Sequence, residues 1–114
     1  MTLVRAILEM GAGNDLHGGD YTKAALRAVQ DALHHSSLSF LRTLKIPAAS
    51  MQVTVTIGVQ QPDQVDAARV KASLPYGVIT VRVVKGGLDV PAEDDHDLAV
   101  IATAAIEVRV ERPA

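Results

Sequence analysis

Between residues 11 and 25 the chain reads GAGNDLHGGDYTKAA, and within this stretch Asp15, His17, Asp20 and Lys23 are side chains able to move protons or hold charge. Asp15 and His17 are two positions apart, so in extended backbone they project to the same side. There they could act as an acid–base couple or as a ligand pair. If the segment leads into a helix, the free N–H groups and the dipole at the helix start favour an anion or a polarised oxygen, with Lys23 beside it. A structural reading competes. Gly11, Gly13, Gly18 and Gly19 would then serve turn geometry, Asp20 would cap the helix, and His17 would only hydrogen-bond the loop.

Known nucleotide loops do not fit these glycines. The Gly-x-Gly-x-x-Gly pattern would need glycine where Leu16 stands, and a P-loop spanning Gly13 to Gly18 would need Lys and then Ser or Thr where Gly19 and Asp20 follow. The acidic run EDDHD at 93–97 could offer oxygens and an imidazole to a divalent metal. Consecutive acids point in different directions and repel one another, so a solvated loop is the better reading. His34 and His35 stand at a helix end, where imidazolium suits the dipole, and read as structural. Lys85-Gly86-Gly87 suggests a lysine-assisted serine, but no serine has a supporting context. No metal site is assigned, and the cofactor is left undetermined.

The elements that must position the glycine stretch follow from periodicity. LVRAILEM (3–10) reads as a strand with Val4, Ala6, Leu8 and Met10 on a fully apolar side, after which the glycines form a loop from Gly11 to Asp20. Residues 23–35 carry Ala24, Ala25, Ala28, Val29, Ala32 and Leu33 at helical spacing, with Asp20 or Thr22 as N-cap. Residues 40–49, broken by Pro47, read as a loop with room for one helical turn. MQVTVTIGVQ (51–60) alternates cleanly, with Met51, Val53, Val55, Ile57 and Val59 on the buried side. A short helix is expected from Pro62 and Asp63 through Leu74, with Val65, Ala68 and Ala72 inward. Pro75-Tyr76-Gly77 is a turn and GVITVRVVKG a strand. A long connection spans 86–97, and a closing strand runs from Leu98 to Val110 with Leu98, Val100, Ala102, Ala104, Ile106, Val108 and Val110 on one side.

The expected fold is a single α+β domain over residues 1–114. Its β-α-β-α-β-β order makes one sheet with two helices on one face, in a chorismate-mutase-like or ferredoxin-like arrangement. The core must be aliphatic, because 48% of residues are hydrophobic and only 3% aromatic. The other sheet face mixes Thr54, Thr56, Arg82, Thr103, Glu107 and Arg109 with Ala99, Ile101 and Ala105. A face of that composition is expected to be buried in a homo-oligomer, a trimer or a multiple of one. The net charge of -2 with scattered basic residues argues against nucleic acid. The absence of cysteine excludes thiolate chemistry and suits a reducing compartment. With no apolar run of about 18 residues a membrane span is not expected, nor is a signal peptide, and the expected location is cytoplasmic.

Gly11-x-Gly13-x-Asp15-x-His17-Gly18 resembles the Gly-x-Gly-x-Asp-x-His-Gly signature of the Lin-type conserved hypothetical family of small bacterial proteins, which also occur with a long N-terminal extension in plants. The likeness continues through Asp20, Thr22, Lys23 and Ala24, through Pro75-Tyr76-Gly77 and into the closing strand. It implies a shared site at Asp15 and His17 rather than a particular reaction. The element order is similar to that of trimeric chorismate mutases and small trimeric imine deaminases, and by analogy implies ligand sites between subunits.

Together these readings favour a small-molecule site at Gly11–Asp20 for an anionic or carbonyl-bearing metabolite. His17 would be the acid–base group, with Asp15 orienting it. Gly11, Gly13, Gly18, Asp20 and Lys23 would form the ligand-binding rim. A non-catalytic binding or regulatory module, or a ring-forming structural protein, is the alternative.

Overall fold

In the computed structural model, residues 2–35, 43–94 and 96–112 are described. The strands are β1 (Leu3–Asp15), β2 (Gln52–Val59), β3 (Val78–Lys85), β4 (Leu88–Pro91) and β5 (Leu98–Glu111); the helices are α1 (Tyr21–His34) and α2 (Ala67–Ala72). One five-stranded mixed sheet runs β1-β5-β2-β3, and β4 pairs with the start of β5. β5 is antiparallel to β1, β2 and β4, whereas β2 and β3 are parallel. A parallel pair needs a crossover, and α2 supplies it. The architecture is the expected α+β sheet with two helices.

The core lies between the sheet and α1. Val53, Val55, Ile57 and Val59 of β2 and alternate residues Val100 to Val110 of β5 are buried there against Ala24, Ala25, Ala28, Val29 and Ala32. Clean alternation in these strands fixed their faces as expected. Each Val or Ile side chain buried this way contributes about 1.5–3 kcal/mol.

β1 departs from expectation in two ways. A bulge between Arg5 and Ile7 shifts the register, so one residue is skipped and the faces exchange. Ile7 is buried while Leu8 and Met10 are exposed, the reverse of the apolar-side-in reading. The strand also does not stop at Met10 but continues through the glycines to Asp15. A Cβ on Gly11 would lie 2.5 Å from the Ala32 nitrogen, and one on Gly13 would lie 2.3 Å from the Ala28 nitrogen. Gly11 and Gly13 therefore let α1 pack directly on the strand, small residue against small residue.

Elsewhere the differences are local. The stretch expected as one helix through Leu74 is a 3-10 turn at Pro62–Gln64 followed by α2, which Asp66 caps. Val70 and Leu74 are buried, whereas Ala68 and Ala72 face solvent, because the helix starts later and turns a different side inward. The expected loop at 40–49 lies partly outside the described residues; Ala48–Ser50 forms a 3-10 turn. β4 occupies part of the connection expected at 86–97. Among the described residues no helix is long and apolar enough to cross a membrane.

Candidate functional site

Antiparallel pairing of β1 with β5 sets Asp15 opposite Val100. The segment leaving β1 is thereby laid against the residues that enter β5. The Gly19 N–H donates to the Leu98 carbonyl at 3.0 Å. The N–H groups of Gly18 and Leu98 both donate to Asp97 Oδ1, at 2.7 and 2.8 Å. His17 Nδ1 meets Asp97 Oδ2 at 2.8 Å. Gly18 and Gly19 have φ of 98° and 60°, a left-handed pair that only glycine adopts without strain. The Gly18 N–H, the His17 ring and the Leu98 N–H hold the Asp97 carboxyl down at about 2, against a smaller opposing effect of burial.

His17 thus has a carboxylate partner, but it is Asp97 and not Asp15. Asp97 belongs to the acidic run read above as a solvated loop. Asp15 is buried on the helix side. Its Oδ2 accepts from the Asp20 N–H at 3.0 Å, and its Oδ1 lies 3.5 Å from Lys23 Nζ and 3.9 Å from Arg27. The Asp20 N–H, followed by the Lys23 and Arg27 charges, outweighs burial and lowers the Asp15 carboxyl below its ordinary value. Asp15 therefore ties the end of β1 to the start of α1. Asp20 is the N-cap, accepting from the Lys23 N–H at 3.0 Å. Of the residues expected at the site, His17 and Gly18 meet at Asp97; Asp15, Asp20 and Lys23 form the joint behind it; Gly11 and Gly13 lie under α1.

A second polar chain stands on the helix side of the same loop. The Tyr21 hydroxyl donates to Asp89 Oδ2 on β4 and accepts from Gln61 Nε2 at 3.1 Å. Gln64 Nε2 in turn donates to Gln61 Oε1. Burial first, then the Asp89 carboxylate, raises the Tyr21 pKa, with Gln61 opposing, so the phenol is held protonated. Asp89 Oδ1 is buried and has no hydrogen-bond partner among the described residues. None of Gln61, Gln64 and Asp89 stands out from sequence spacing.

Two cavities flank Asp97. One of 420 Å³ opens between the Gly18–Gly19 turn, Tyr21, Gln61, Gln64 and His96. The other, 220 Å³, is walled by Leu16, His17, Val90, Pro91, Leu98 and Ala99. A larger groove of 570 Å³ runs along the outer side of α1 past Lys23, Arg27, Asp31, His34 and Arg69. Its polar groups are mostly committed: Asp31 accepts from the Ala12 N–H, Arg27 donates to the Asn14 carbonyl, and Lys23 faces Asp15. The chemistry gathers around Asp97 instead. His35 Nε2 stands 3.6 Å from Asp31 Oδ1, one turn earlier on the exposed side of α1. Among the described residues no three His, Asp or Glu side chains come together in a metal-binding group.

The sequence model of a conserved hypothetical protein family, Lin0512_fam, matches residues 5–108. The chain belongs to this family. Its fold is similar to the crystal structure of an FtsZ-like protein of unknown function from Nostoc punctiforme PCC 73102, with 36% identity over 98% of this chain and 99% of that one and a TM-score of 0.84. No curated protein matches the chain. The Lin0512 match covers the whole of the loop and cavity region described above.

Proposed function

We propose that this Lin0512 family chain is a small-molecule-binding protein whose ligand sits in the cavities flanking Asp97, with His17 as the acid–base group if the ligand is turned over. The observation that carries the reading is the His17–Asp97 contact, made by a carboxylate already pinned by two backbone N–H groups. An ionised Asp97 accepts the Nδ1 hydrogen and so fixes the ring's tautomer and orientation. The Nε2 lone pair is then free to take a proton from a hydroxyl, a water or a carbon next to a carbonyl.

Charge favours a carbonyl-bearing ligand over a strongly anionic one. The N–H groups of Gly18 and Gly19 are occupied by Asp97 and Leu98, and Lys23 is held by Asp15. Among the described residues no Lys or Arg lines either cavity. Gln61 and Gln64, which each keep an amide hydrogen beyond the one already given, offer neutral donors to a carbonyl oxygen from the wall of the 420 Å³ cavity. The exposed Leu8, Met10, Leu88 and Val90 favour association into a homo-oligomer.

The test is a thermal-shift screen of the parent and Asp97→Asn against uncharged carbonyl compounds and against phosphates and polycarboxylates. Carbonyl compounds should raise the parent's melting temperature and leave Asp97→Asn unmoved. A response to polyanions alone would reverse the charge argument, and equal responses in both proteins would place the ligand elsewhere.

A further inference from the structure

We infer that two copies of this chain pair antiparallel along β3, with the two-fold axis at Val81, so that their sheets run on as one. The sheet ends at β1 on one side and at β3 on the other. An open strand edge offers unpaired N–H and carbonyl groups to another chain. The two edges are built differently. β1 carries a bulge between Arg5 and Ile7, which turns an edge away from pairing. Near its other end the Ala12 N–H donates to Asp31 and the Asn14 carbonyl accepts from Arg27. Side chains of α1 thus occupy groups that a further strand would need.

β3 has none of these guards. Its register with β2 is unbroken from Val78 to Lys85, and it contains no proline. The Val78 N–H donates to the Met51 carbonyl and, just past the strand, the Gly86 N–H donates to the Val59 carbonyl. Even-numbered residues therefore bond to β2, and the N–H and carbonyl groups of Ile79, Val81, Val83 and Lys85 turn to the open edge. Among the described residues no strand pairs with them. The side chains agree. On the core side Val53, Val55 and Ile57 of β2 are buried, but their β3 neighbours Ile79, Val81 and Val83 are only half-buried. The core reaches this edge and is left uncovered there.

The sequence of β3 fits a copy of itself. Opposite residues in an antiparallel pair share a face, so the axis falls on a residue, and Val81 and Arg82 are the central two of the strand. An axis at Arg82 would set that guanidinium against its own copy, and like charges directly opposite are destabilising. An axis at Val81 sets Ile79 against the partner's Val83 and Val81 against the partner's Val81, which extends the core row. On the other face Val78, 51% exposed, meets the partner's Val84, 39% exposed, and Thr80 meets the partner's Arg82. Aliphatic opposes aliphatic at each apolar position and no charge opposes a like charge. An isologous contact requires this self-complementarity.

Light scattering, circular dichroism and mild oxidation of cysteine variants test the pairing; the chain has no cysteine of its own. The parent should weigh an even multiple of 12.1 kDa. Val81→Pro removes the outward N–H at the axis and no bond to β2, so it should keep the parent's circular dichroism and fall to half the parent's mass. Thr80→Cys/Arg82→Cys sets thiols of facing chains at a Cα separation of about 4.5 Å, within disulfide range. It should oxidise to a covalent dimer several-fold faster than Thr80→Cys alone, whose thiols lie diagonally across the axis. A parent of one chain or of any odd number, a folded Val81→Pro of unchanged mass, or equal cross-linking in the double and single cysteine variants would overturn the inference. Should Val81→Pro fail to fold, the cross-linking decides.

Discussion

Asp97 and His17 are 80 positions apart in the chain and 2.8 Å apart in the fold. The contact exists because two long strands, first and last in the sequence, are neighbours in the sheet. Asp97 Oδ1 takes both local N–H groups, which leaves Oδ2 for the imidazole.

That arrangement makes the loop a source of acid sensitivity. The Asp97 carboxyl titrates at about 2 in the folded chain and at about 3.9 when unfolded. A lowered carboxyl contributes stability fully above its unfolded value and loses it as pH falls through the folded one. Urea melts should show the parent weakening between about pH 4 and pH 2, and Asp97→Asn should flatten part of that limb. Asp15 and Glu107, also lowered, keep the remainder. Parallel curves for the two proteins would show that Asp97 is not held as described.

Gly13→Ala and His17→Ala separate packing from site. A methyl group at Gly13 meets the α1 backbone at 2.3 Å, contact that neither element can relieve without moving apart. The expected loss is about 2 kcal/mol or more. His17 is 88% exposed, so its removal should cost less than about 1 kcal/mol. Denaturant melts of both variants check this, and a large loss at His17 would make it a structural member of the loop.

How much of this was legible in the sequence depended on the length and regularity of each signal. β2 and the closing strand alternate without interruption, so Val55 and Val108 could be placed inside from spacing alone. β1 alternates too, but the bulge after Arg5 exchanges its faces, and a period of two cannot show a skipped residue. Glycine is rare in strands, so Gly11 and Gly13 look like loop in sequence; the signal to the contrary is the Ala24, Ala28, Ala32 stripe, one small residue per turn, able to receive a strand without side chains. Sequence adjacency pairs His17 with Asp15, and spacing alone does not show a partner 80 positions away. Only the β1–β5 register brings Asp97 to the glycine turn. β4, with four residues and a proline, is too short to announce itself.

Tyr21 offers a check on the second polar chain. Its hydroxyl serves Asp89 and Gln61 at once, and Asp89 Oδ1 already lacks a partner among the described residues. Tyr21→Phe would leave the other oxygen unpaired as well, with an expected loss of about 1–3 kcal/mol. Thermal melts measure it. An unchanged midpoint would mean that water reaches Asp89 and replaces the phenol.

Amide chemical-shift mapping with a compound that stabilises the parent distinguishes a ligand bound at Asp97 from one in the larger groove along α1. Shifts are expected at Gly18, Gly19, Tyr21, Gln61 and Leu98, and they should vanish in Asp97→Asn. Shifts gathered instead at Leu26, Gln30, His34 and Arg69, unchanged in Asp97→Asn, would contradict it.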